Sequence, residues 1–232
     1  MKGTSMKLAV NPVYKLIAQG EHQTQDFKYC INDSRKIAKS LVAFANTDGG
    51  RLLIGVKDNG KIIGVRSDEE YYMVEAAAKI YSKPQIEFTT QQWDVDGKQV
   101  LEVQIEPSQL KPHYAQDDDG KWIALIRKKD ENILANTVLL KSWKLQRNRQ
   151  GILFKFDEPR RKLIDYLNEN PSITLSKFTK IAQINRNHAE TILAEMLLFH
   201  CIEGHFEEIP VSYQLNQDFN MEENLKHAVL RS

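Results

Sequence analysis

An unbroken apolar run, Leu52-Leu53-Ile54-Gly55-Val56, sets the strongest constraint on this chain. A strand with one wet face alternates apolar and polar residues, whereas a strand covered on both faces reads as continuous hydrophobics. The run therefore predicts a central strand with packing on each side. Its surroundings fit that role. Residues 24–30 read as a strand and 34–47 as a helix, with Ser34 as cap, Ile37, Leu41 and Phe44 as its stripe, and Gly49-Gly50 as its stop. Downstream, Asp58-Asn59-Gly60-Lys61 predicts a turn into a short strand over 62–65, followed by a helix over 68–81. Strands over 85–95 and 99–105 flank the hairpin signal Asp96-Gly97; a strand over 122–127 and a helix over 136–147 close the unit. The fold class is α+β, a mixed sheet with flanking helices.

Charge divides the chain. Residues 157–232 hold 8 basic and 12 acidic side chains, a net of −4, which leaves +5 for residues 1–156 in a chain whose total is +1. A polyanionic partner is therefore expected on the first part. The second part reads as three short helices and a β-ribbon. Asp157 caps the first helix ahead of Pro159, residues 175–182 form the second, and Ala189, Ile192, Leu193, Met196 and Leu197 sit at core spacing on the third. Residues 201–206 and 211–215 then pair as a wing. That order predicts a small winged helix-turn-helix domain. The expected domains are 10–150 and 156–216, with a tail over 217–232.

Composition closes several routes. No run approaches the roughly 18 apolar residues of a membrane span. Leu8-Ala9-Val10 before Asn11-Pro12 is too short for a signal-peptide core. Cys30 and Cys201 lie far apart and outside any C-x-x-C, so a reducing cytoplasm is the expected location. Each Gly-Lys pair, at 60–61, 97–98 and 120–121, lacks the following Ser or Thr of a P-loop, which argues against nucleotide hydrolysis. His200, Cys201 and His205 lack a fourth ligand at zinc spacing.

The densest chemical signal is Gly20-Glu21-His22-Gln23-Thr24-Gln25-Asp26-Phe27-Lys28. Alternation places Asp26 and Lys28 on one face of a strand and Phe27 on the other. With Phe27 in the core, Asp26 and Lys28 face solvent or a groove, Glu21 folds back toward Asp26, and Asp58 follows the buried strand. Glu21, Asp26 and Asp58 in one groove would hold Mg²⁺ or Mn²⁺, with Lys28 steadying a phosphate oxygen, a catalytic set for phosphodiester chemistry. His22 beside Glu21 would assist proton transfer, or is simply an exposed loop histidine. The same spacing also fits a solvated Asp26–Lys28 pair, a loop charge at Glu21 and a turn residue at Asp58.

With Ala43-Phe44-Ala45-Asn46-Thr47-Asp48-Gly49-Gly50 and Leu52-Leu53-Ile54-Gly55-Val56-Lys57-Asp58 added, the segment from Gly20 to Gly64 resembles the Schlafen AlbA-type domain, described as a DNA-binding domain. Weaker echoes at Lys111-Pro112-His113-Tyr114 and at 122–127 extend the resemblance over roughly residues 10–145. Some relatives are metal-dependent endoribonucleases acting on tRNA or other structured RNA, and their acidic site resembles Glu21, Asp26 and Asp58. Here Asp26 stands where the family usually has Glu, and Lys57 where relatives often carry a further acid. Bacterial members that join such a domain to a winged helix are described as regulators.

Two basic clusters are candidate phosphate contacts: Arg127-Lys128-Lys129, and the acid-free tract holding Lys141, Lys144, Arg147, Arg149 and Lys155. A solvated helix end explains the second tract as well. On the third C-terminal helix Arg186 and Asn187 suit base edges, while Glu190 and Glu195 would repel phosphate. The resulting expectation is a nucleic-acid-binding, transcriptional-regulator-like protein whose partner is DNA or RNA. The alternative is a Mg- or Mn-dependent endoribonuclease. A homo-oligomer, and a protein partner met through the C-terminal domain, are further expectations.

Overall fold

In the computed structural model, which describes residues 11–147 and 155–217, the strand Gly50–Ile54 lies inside the main sheet and is packed on both faces. Numbered along the chain, the elements around it are α1 (Pro12–Ile17), β1 (Gln25–Lys28), α2 (Ser34–Asn46), β2 (Gly50–Ile54) and α3 (Glu69–Lys79). They continue with β3 (Ser82–Lys83), β4 (Thr89–Val95), β5 (Lys98–Ile105), β6 (Tyr114–Gln116), β7 (Trp122–Ile123), β8 (Leu125–Lys128) and β9 (Glu131–Leu134). The main sheet runs β1-β2-β5-β4, with β1 parallel to β2 and the other neighbours antiparallel. A smaller antiparallel sheet, β3-β6-β7, and the β8–β9 pair complete the strands up to Leu134.

The apolar run divides its side chains as a doubly covered strand must. Leu52 and Ile54 join Ile37, Leu41 and Phe44 of α2 and Val74 of α3 in one core. Leu53 and Val56 join Phe27, Val95, Val100 and Val13 in another. That second core is roofed by α1, a helix absent from the sequence reading although Asn11-Pro12 is a start signal: the Asn11 side chain accepts from Val13 N and Pro12 sits in the first turn. Each fully buried Leu, Ile or Phe contributes about 1.5–3 kcal/mol of transfer free energy. With both faces burying such side chains, β2 anchors the unit.

Local capping departs from expectation at α2. Asp33, not Ser34, holds the extended cap conformation and accepts from Arg35 N at 2.8 Å. At the far end Gly49 takes φ +74°, and a Cβ there would lie 2.7 Å from Ile105 O, so the turn between α2 and β2 admits only glycine. The expected strand over 62–65 is reduced to a single bridge, Val56 to Ile62, across the 57–61 turn. The strand expected over 122–127 is split at Ala124 into β7 and β8.

Residue contacts divide the chain into two units, 1–109 with 113–132, and 110–112 with 133–232. The second contains α4 (Thr137–Gln146), α5 (Glu158–Glu169), β10 (Ile173–Thr174), α6 (Leu175–Ala182), α7 (Arg186–Leu198), β11 (Ile202–His205) and β12 (Ser212–Leu215). Its sheet runs β10-β12-β11, antiparallel throughout. Leu163, Leu167, Phe178, Ile192, Leu193, Met196 and Tyr213 fill its core. Val138 of α4 shares that core, so the helix read from the sequence as closing the first unit packs with α7 in the second. Among the described residues no helix is long and apolar enough to cross a membrane.

Candidate functional site

The carboxyl-terminal end of β1 gathers the acidic residues, in a different state from the open groove expected. Asp26 is buried on the face covered by α2, because Phe27 takes the α1 face and neither side of β1 is left to water at these positions. Ser40 Oγ donates to Asp26 Oδ2 at 3.2 Å, and Asn132 donates to Ser40 at 3.2 Å. Lys28 Nζ lies 2.7 Å from Asp26 Oδ2, and Arg127 approaches Oδ1 at 3.6 Å. Glu21 folds back as the spacing predicted: Oε1 accepts from Phe27 N at 2.9 Å, and its carboxyl shares a hydrogen bond with Asp26.

The pair divides one proton unequally. Burial pushes Glu21 up to about 7, and the hydrogen bond with Asp26 pushes the same way. Burial alone would raise Asp26 too, but the hydrogen bond from Glu21, the Lys28 ammonium and the Arg127 guanidinium together hold it below the usual carboxylate range. When protonated, Glu21 donates to an Asp26 carboxylate that also faces Lys28 and Arg127.

Asp58 does not complete a metal centre. It is exposed in the turn beyond β2, and among the described residues no three Asp, Glu, His or Cys side chains come together in a group that could hold a metal ion. A divalent ion wants several deprotonated oxygen ligands. Here the Glu21 and Asp26 carboxyls hydrogen-bond each other, and Asp26 is also paired with Lys28 and Arg127. His22 Nδ1 turns to Thr24, 3.3 Å from its N and 3.4 Å from its Oγ1.

Among the basic residues, Arg127 is a structural cation. Only 2% exposed, it bonds Gln25 O and Asn132 Oδ1, and its guanidinium lies 5.3 Å from the Phe44 ring centroid. Lys128 is half-buried; Lys129 is exposed, with φ +56° and its N–H given to Gln23 Oε1. Lys141, in the second unit, is bound by Glu190 at 2.9 Å and Asn187 Oδ1 at 2.7 Å. Lys144 and Arg147 are exposed on and just after α4, and Arg149 lies outside the described residues. The acids expected to face solvent on α7 are engaged: Glu190 is buried between Lys141 and Arg186, and Glu195 pairs with Arg160.

Other motif residues clip the fold together. Asn46 Nδ2 donates to the carbonyls of His113 and Leu125, and its Oδ1 accepts from His113 N. His113 in turn is 2.7 Å from Ser108 Oγ and 2.9 Å from Pro84 O. The Asn of Ala-Phe-Ala-Asn-Thr and the His after Lys-Pro therefore meet across 67 residues.

Residues 21–136 of this chain match the Schlafen, AlbA_2 family. The chain belongs to that family. The match covers the clips and the Glu21–Asp26 pair alike, and membership supports a nucleic-acid-related function for the AlbA_2 domain. No curated protein matches the chain. Among solved structures, the DIP2311 protein from Corynebacterium diphtheriae is 19% identical with a TM-score of 0.40, over 53% of this chain and 24% of that one. The N-terminal domain of an ATP-dependent DNA helicase RecG-related protein from Nitrosomonas europaea is 18% identical with a TM-score of 0.37, over 64% of this chain and 96% of that one. The chain thus spans about a quarter of the length of the first of these proteins.

Proposed function

We propose that this protein binds nucleic acid through its AlbA_2 domain and acts as a DNA-binding, regulator-like protein rather than as a nuclease. One observation carries the choice: Asp26 is buried and already neutralised by Lys28 at 2.7 Å and Arg127 at 3.6 Å. An endoribonuclease of the expected kind needs open carboxylates to place a metal at the phosphodiester. Here the acids are spent on holding β1, α2 and β8 together, which favours binding without cleavage.

The second unit, in this reading, is a winged helix-turn-helix module, with α5, α6 and α7 as its helices and β11–β12 as the wing. Its α7 is not a free recognition helix. Lys141 of α4 occupies Asn187 and Glu190, and Arg186 is turned onto Glu190 at 2.9 Å. A major-groove reader needs such side chains free for base edges. The module therefore serves assembly or a protein partner, and the AlbA_2 domain makes the polyanion contact.

Fluorescence anisotropy of a labelled DNA duplex titrated with the full chain tests the proposal. The expected result is binding at low salt that weakens linearly in log Kd against log salt. Absence of binding at low salt, or affinity indifferent to salt, would overturn it.

A further inference from the structure

Three segments of the AlbA_2 domain converge just beyond the carboxyl ends of the parallel pair β1–β2. Tyr29 follows β1, Lys57 follows Val56 beyond β2, and Arg66 follows the backbone stitched by Val65 N to Gln99 O. Lys28 O accepts from Gly55 N at 2.8 Å, and Gly55 O accepts from Ile63 N at 2.8 Å, so the three lie on adjoining, hydrogen-bonded backbone. Lys57 Nζ stands 5.3 Å from the Tyr29 ring centroid and the Arg66 guanidinium carbon 5.8 Å. Arg66 Nη2 also donates to the Tyr29 hydroxyl at 2.9 Å.

All three side chains are exposed, Tyr29 by 39%. This sets the cluster apart from three of the cations that the sequence made candidates. Lys28, Arg127 and Lys141 are bound to carboxylates. Lys57 and Arg66 form no ion pair with a carboxylate among the described residues. Glu70, buried four residues on, accepts from the N–H groups of Arg66 and Ser67 at 3.2 Å, and its charge favours the Arg66 guanidinium without an ion-pair contact. An ammonium or guanidinium over an exposed ring is held weakly, and a phosphate readily draws it away.

Aromatic rings flanked by exposed cations are what single-stranded nucleic acid uses: bases stack on the ring, and the backbone phosphates meet the cations. We propose that Tyr29, Lys57 and Arg66 form a subsite for an unpaired nucleotide, with the base on Tyr29 and the adjoining phosphates on Lys57 and Arg66. This deepens the nucleic-acid-binding reading and rests on it. The shared chemistry is an unstacked base with flanking phosphates, in either RNA or DNA.

The test titrates the full chain against fluorescein-labelled single-stranded RNA, single-stranded DNA and duplex DNA, each of roughly 12 nucleotides per strand. Tyr29→Ala should weaken single-strand binding by about tenfold, and Tyr29→Phe, which keeps the ring, should bind within about twofold of the parent. Duplex binding should change by less than about threefold, since paired bases offer no free face. Lys57→Gln with Arg66→Gln should flatten the single-strand salt slope by roughly 1.4, about 0.7 for each phosphate contact. Circular dichroism melts confirm that the variants fold. If the parent binds no nucleic acid, both this subsite and the broader reading fall. If the parent binds and Tyr29→Ala binds single strands equally well, or the double variant keeps its salt slope, the subsite alone is wrong. The relative loss on RNA and DNA identifies which of the two the subsite takes.

Discussion

Asp26 and Tyr29 stand three residues apart at the end of one strand, and the charges around them have opposite fates. Around Asp26, Lys28, Arg127, Ser40 and Glu21 close on one another under α2. Around Tyr29, Lys57 and Arg66 remain in solvent with only a ring between them. Burial decides the difference. A carboxylate carried into a covered face must be paired where it lies, so its partners are lost to any ligand. Cations beyond the covered region keep their hydration and stay available for phosphate. Residue type alone would have ranked Asp26, Lys28 and Arg127 as the ligand-facing group; the sheet's second covering layer reverses that order.

Breaking the buried side should have the largest effect. Arg127→Ala leaves Asp26 short of a cation and removes the bonds to Gln25 O and Asn132, and should cost about 3–5 kcal/mol by urea denaturation. Lysine at this position should recover only part, because it lacks the planar fork that spans those partners. Ser40→Ala removes one donor to Asp26 and the acceptor of Asn132, and should lower stability by about 1–2 kcal/mol in the same measurement.

A smaller effect is visible only against pH. Glu21 titrates at about 7 in the folded chain against an ordinary 4.5, so between those values the native state keeps a proton that the unfolded chain has released. Stability contributed by this group is therefore present below 4.5 and falls as pH rises through about 7. Glu21→Gln still donates to Asp26 and accepts from Phe27 N, so thermal melts of the variant should lose that slope across the window. The exposed side should barely register in stability. Arg66→Gln should leave the urea midpoint close to that of the parent, and a clear loss would mean that Arg66 is a structural residue like Arg127.

Much of the fold was legible because its signals are local. The apolar run at 52–56, the Gly49-Gly50 stop and the Asp96-Gly97 hairpin each appear where they were read. The helix α1 was missed although Asn11-Pro12 announces it, since six residues carry too little periodicity to stand out. The ownership of α4 was hidden because its amphipathic pattern does not say which core its apolar stripe enters. In the site, the fold-back of Glu21 onto Asp26 was legible from their spacing. The burial of Asp26 was not, because it depends on α2 covering the face opposite Phe27. The pairing of Lys141 with Glu190 was equally hidden, joining positions 49 apart in the chain.

The central claim is that internal pairing leaves the Glu21–Asp26 site unable to support cleavage while the domain still binds. Incubating a structured RNA with the full chain and Mn²⁺, then resolving bound and cut species on native and denaturing gels, tests it directly. The account predicts RNA that stays full-length on the denaturing gel whether or not it is retarded on the native one. Mn²⁺-dependent fragments that disappear with Asp26→Asn would contradict it.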